Sequence, residues 1–93
     1  MKYFALFYFL VDDYLSRRPE FREEHLKLAN ELNKRGELII AGAFSDPADK
    51  AMLVFRVNNK SIIEEFVKKD PYYKNGLIKN YEIREWTVVI GNQ

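Results

Sequence analysis

Residues 2–11 read KYFALFYFLV: Lys2, Tyr3, Phe4, Ala5, Leu6, Phe7, Tyr8, Phe9, Leu10, Val11. The run is aromatic and β-prone, so it reads as a strand. In a strand, side chains alternate between the two faces. Tyr3, Ala5, Phe7 and Phe9 then point one way, and Phe4, Leu6, Tyr8 and Leu10 the other. A sheet covered on one side only alternates apolar with polar residues. This run is apolar on both faces, so one face meets the chain's own helices and the other also calls for cover.

The pattern extends outward. Asp12-Asp13 and Ser16 mark the exit from the strand. Pro19 suits the first turn of a helix, where its missing N–H costs nothing. That helix is expected to run to about Arg35, with Gly36 as its stop and Lys34-Arg35 at the negative end of its dipole. Glu37–Phe44, "ELIIAGAF", is a second strand, again apolar on both faces. The segment "SDPAD" is a turn. Ala51–Val57 is a third strand, broken by Asn58-Asn59. Ser61 followed by Glu64 is a capping-box signature for a helix through about Lys69. Asp70-Pro71 ends it, because the residue before proline leaves the α region. "YYKNG" is a turn or a single helical turn, with Gly76 at positive φ. Lys79–Ile90 is the last strand.

The order is βαββαβ in a single domain over residues 1–93. Its simplest packing is an α+β, ferredoxin-like sandwich, with a four-stranded antiparallel sheet and both helices on one face. Fully burying one large apolar side chain is worth roughly 1.5–3 kcal/mol, and several of them facing water would make an unusually large patch. A homodimer through the helix-free sheet face is therefore expected. The alternative is a small patch on which Tyr3 and Tyr8 are tolerable surface aromatics.

Composition narrows the function. Fifteen basic against fourteen acidic residues give a net charge of +1, which makes no electrostatic case for nucleic acid or an anionic membrane. The third strand, "DKAMLVFRV", also lacks the basic-Gly-aromatic-Gly lead-in of RNA-recognition domains. No cysteine and one histidine argue against a disulfide framework, thiolate chemistry or a zinc site. The N-terminal apolar run is too short to span a bilayer and has no leader pattern, so a cytoplasmic protein is expected.

The only histidine, His25, lies on one helical stripe with Phe21, Leu28 and Leu32. Arg18 and Arg22 lie beside it. One reading is an anion-recognising pocket with an acid/base at its floor, since arginine grips carboxylates bidentately and imidazole moves protons near neutrality. The other has both arginines paired with Glu23, Glu24 or another nearby acid, and His25 as a hydrogen-bonded core residue. Asp70 sits at a helix end that prefers cations. It is read either as the acceptor that orients His25 or as the cap of the "PYYKNG" turn. Tyr72 and Tyr73 line a pocket or pack. Turn chemistry explains Asp12-Asp13 and Asp46/Asp49, and Trp86 reads as a core or dimer contact.

With "RRPEFREEHLKL", "RGELIIAGAF" and "KKDPYYKNGL" in place, the chain resembles the YciI-like (YCII-related) family. The resemblance rests on Arg18, Arg22, His25 and Leu26, then Gly36, Leu38, Ala41 and Gly42, then Asp70, Pro71, Tyr72 and Gly76, in order over nearly the whole chain. It implies a homodimeric α+β barrel related in architecture to muconolactone isomerase. It also implies an active site on the histidine and aspartate, here His25 and Asp70. Some relatives act on hydroxylated or chlorinated aromatics. Where many relatives have Gly-Pro and a longer loop, this chain has Gly42-Ala43 and a short "FSDPADK", so a substrate class does not carry over.

The function expected is that of a small cofactor-independent enzyme of lyase or isomerase type. His25 would be acid or base and Asp70 its orienter. Arg18, Arg22 and Tyr72 would hold a small organic substrate, anionic or aromatic. A non-catalytic dimeric module that binds a small ligand in the same pocket is the alternative.

Overall fold

The computed structural model describes residues 1–91. Strand β1 is Lys2–Leu10, helix α1 Tyr14–Lys34, β2 Leu38–Ala43, β3 Lys50–Val57, α2 Ser61–Lys69, α3 Pro71–Lys74 and β4 Ile78–Trp86. The sheet is antiparallel in the order β2-β3-β1-β4, so β1 and β3 are central and β2 and β4 form the edges. This is the expected ferredoxin-like arrangement.

Strand alternation places the core. Phe4, Leu6, Tyr8 and Leu10 of β1 and Ala51, Leu53, Phe55 and Val57 of β3 are buried against Tyr14, Ala29 and Leu32 of α1 and Ile63, Phe66 and Val67 of α2. The opposite sheet face carries Tyr3, Ala5, Phe7 and Phe9, in register with Met52 and Val54 of β3 and, beyond them, Ile40 of β2.

Several local readings change. Helix α1 begins at Tyr14, so Pro19 lies inside it rather than in its first turn. The carbonyl that Pro19 leaves without its usual helical donor belongs to Leu15, an exposed residue. The early start is held by tertiary contacts. Tyr14 is buried, and Arg17 donates to the carbonyls of Asn75 (2.7 Å) and Gly76 (3.3 Å).

The capping box does not form at Ser61. The side chain of Asn59 instead accepts from the Ser61 N–H at 3.1 Å, and Ser61 Oγ also bonds Asn59 Oδ1. The single turn after Asp70 is α3, and Gly36 and Gly76 take φ +78° and +77° at the ends of α1 and α3. Strand β4 ends at Trp86, short of the expected Ile90. No helix of the described residues is long and apolar enough to cross a membrane.

Candidate active site

Asp70 is the junction of α2 and α3. Its backbone is extended (φ −68°, ψ 119°), as the following proline requires, and this turns its side chain back into the protein. The carboxylate is fully buried, yet every oxygen is met. Oδ1 accepts from the Tyr72 N–H at 3.0 Å and from His25 Nδ1 at 2.8 Å, and Oδ2 accepts from the Tyr8 hydroxyl at 2.8 Å. The two sequence readings of Asp70 therefore hold together: it caps α3 and it holds the imidazole.

His25 comes from the middle of α1 and is mostly buried, with its ring stacked on Tyr72 at 3.8 Å and an 8° interplanar angle. Tyr14 meets the same tyrosine edge-on at 5.8 Å. With Nδ1 committed to Asp70, the other ring nitrogen, Nε2, is the one left for a ligand. An ionised carboxylate can only accept, so with Asp70 ionised the proton of this bond sits on Nδ1.

In front of this assembly lies a cavity of about 380 Å³ between α1 and the β2–β3 half of the sheet. It exists because the sheet there carries small side chains: Ala41, Gly42 and Ala43 of β2 and Ala51 of β3. Arg18, Arg22, His25 and Tyr72 lie on its polar wall, together with Asn30, Asn33 and the tyrosines Tyr8 and Tyr14. Among the described residues, every charged residue on that wall is an arginine and no carboxylate lines it. The reading that pairs the arginines with Glu23, Glu24 or another acid is not what the protein does. Among the described residues neither Arg18 nor Arg22 makes an ion pair. The Arg18 guanidinium lies over the Tyr14 ring at 5.5 Å, and its Nε is buried without a hydrogen-bond partner.

The Tyr72 hydroxyl is buried and unpartnered as well. Burial, reinforced by Tyr14, pushes its pKa up to about 12. Arg22 and Arg18 lie near enough to oppose that shift without reversing it. Burial also holds the Tyr8 hydroxyl well above the usual tyrosine range, aided by the charge and hydrogen bond of Asp70. Both phenols are neutral O–H donors at physiological pH.

The structure brings together all five residues singled out from sequence: His25, Asp70, Arg18, Arg22 and Tyr72. One residue escaped that reading. In the small-patch alternative Tyr8 is a tolerable surface aromatic, yet it is 1% exposed, and its bond to a residue 62 positions away has no local signal.

Among curated proteins the sequence has no significant match. Solved structures share the fold at low identity. A 5-chloro-2-hydroxyhydroquinone dehydrochlorinase from Burkholderia phenoliruptrix AC1100 has a TM-score of 0.78 at 17% identity, over 91% of this chain and 93% of that one. A NIPSNAP family protein from Agrobacterium tumefaciens has 0.59 at 13%, over 95% and 92%. A dimeric ferredoxin-like protein from an uncultured marine organism has 0.55 at 16%, over 94% and 86%. The sequence profile of one family matches residues 1–87, and the chain belongs to that family, defined by the YCII-related domain.

Proposed function

We propose that the protein is a small cofactor-independent enzyme that moves a proton on a compact anionic organic molecule, in a lyase- or isomerase-type step. The observation that carries this reading is the buried Asp70 carboxylate holding Nδ1 of the only histidine at 2.8 Å, behind a cavity whose charged wall is entirely arginine. Asp70 fixes the tautomer, so the lone pair of Nε2 is the base. It takes a proton from a carbon beside an electron-withdrawing group. The imidazolium that forms is stabilised by Asp70 and by the face of Tyr72. The electron pair left behind either expels an anionic leaving group from the neighbouring carbon or accepts the proton back at another position. Arg18, Arg22 and the neutral Tyr72 O–H hold the negative charge meanwhile.

The structurally similar dehydrochlorinase was solved with 2,5-dihydroxybenzoquinone bound. That supports trying acidic hydroxylated rings first, and the cavity lies at the small end of the ~300–1,000 Å³ usual for ligand sites. The test begins with a thermal-shift screen of small carboxylic acids, phenols and hydroxyquinones, followed by turnover assays on those that bind. A positioned histidine contributes on the order of 10²–10⁴ in rate, so His25→Ala is expected to lose that much. A folded His25→Ala protein with full turnover would end the proposal. Binding without turnover, at an affinity unchanged between about pH 5.5 and 8, would leave a small-ligand-binding module.

The working unit we propose is a homodimer closed through the helix-free sheet face. The protomer exposes 6298 Å², against about 5,700 Å² expected for a monomer of its mass. Ile40, on the apolar face, is 68% exposed. The structurally similar marine protein is described as dimeric.

A further inference from the structure

We propose that Tyr8 is a positioning residue of this site: its hydroxyl holds the Asp70 carboxylate in the one orientation that keeps Nδ1–H of His25 engaged and Nε2 free. The inference rests on the His25–Asp70 reading but not on any substrate. Asp70 turns about a soft, two-fold torsion at its carboxylate. Oδ1 already carries two donors, from Tyr72 N–H and His25. Only the Tyr8 hydroxyl, at 2.8 Å, anchors Oδ2. Nothing else in the described residues meets that oxygen, and Asp70 is 0% exposed to bulk solvent.

Tyr8 is itself 1% exposed and rigidly placed. It stands on a central strand, paired with Ala51 of β3 on one side and Tyr81 of β4 on the other. The sheet thus serves as the fixed reference, and α1 and α3 are registered to it through one carboxylate. A phenol suits this task because burial keeps it un-ionised and donating.

The chain's single histidine makes the test direct, since ¹⁵N-histidine labelling reports one ring only. In the unsubstituted protein the ring is expected as a single Nδ1–H tautomer with a protected Nδ1 proton resonance. In Tyr8→Phe, Oδ2 is left buried without a donor. The carboxylate turns, the Nδ1 proton signal is lost to exchange, and both tautomers appear. The second variant carries 3-fluorotyrosine at position 8 alone. It keeps the shape and makes the phenol a stronger donor, so charge is drawn from Oδ1 and the Nδ1 proton resonance moves upfield with the tautomer unchanged. This near-isosteric variant decides the matter if Tyr8→Phe does not fold. Wild-type ring nitrogens and Nδ1 proton in the folded variants would overturn the role of Tyr8. That result would leave the chemistry of His25 to its own assay.

Discussion

Asp70 has three donors on two oxygens and is fully buried. Removing the carboxylate strands the Tyr8 hydroxyl and the Tyr72 N–H inside the protein. Each buried group left unpaired costs about 1–3 kcal/mol, so with two of them stranded Asp70→Ala is expected to lower the unfolding free energy measured in urea by about 2–6 kcal/mol. Tyr72 is the opposite case, because its buried hydroxyl has no partner to lose. Tyr72→Phe is expected to hold or raise stability by up to about 1 kcal/mol while weakening ligand binding.

The same tyrosine sets an alkaline limit. Its pKa is about 12 in the folded chain, against an ordinary 10.0. Below pH 10 both states keep the proton and its contribution to stability is complete. From pH 10 upward the unfolded chain releases the proton and the folded one does not, so stability falls until about pH 12. Melting temperatures measured across that interval are expected to fall less steeply in Tyr72→Phe than in the unsubstituted protein. The residual slope comes from Tyr8, which is shifted in the same direction. At this scale the sequence was half legible. An imidazole on an apolar stripe and an aspartate at the wrong end of a helix each announced a missing partner. That they answered each other depended on tertiary packing across 45 residues.

At the scale of elements, hydrophobic period and turn residues placed every strand and both long helices, because those signals are local. The boundaries that moved were the ones set by distant contacts. Helix α1 gained its first turn from Arg17 reaching Asn75 and Gly76, which no pattern within the helix encodes. Pro19 is consequently an internal helix proline. Pro19→Ala restores one helical hydrogen bond worth more than the ~0.4–1 kcal/mol by which proline stiffens the unfolded chain. A net gain of about 1 kcal/mol is expected in urea unfolding. At the start of α2 the side chain that meets a backbone N–H is that of Asn59, one residue before the Lys60 N-cap, rather than that of Ser61. Asn59→Ala is expected to cost about 0.5–1 kcal/mol, and Ser61→Ala clearly less, by the same measurement.

The whole molecule has a sheet with two apolar faces and helices for only one of them. The sequence showed this most plainly, since the doubled pattern of residues 2–11 needs no partner to be read. Of the apolar strand β2 only Leu38 is buried in the protomer; Ala41 and Ala43 line the cavity, and Ile40 lies in register with Val54 of the helix-free face. A second copy on that face predicts a dimer in sedimentation. Ile40→Lys tests it cleanly, because a lysine at so open a position leaves the isolated protomer's fold intact. The variant is expected to sediment as a monomer, and a dimer surviving that substitution would place the interface elsewhere.

One bond described above has a use beyond the site. The amide of Tyr72 is tied to the carboxylate that β1 and α1 also share. That proton can trade with deuterium only when the knot of strand, helix and turn comes undone. Its exchange rate in heavy water therefore counts the rare molecules in which the site has come apart. A ligand that seals the site would reveal itself by slowing that single proton, before any reaction is known.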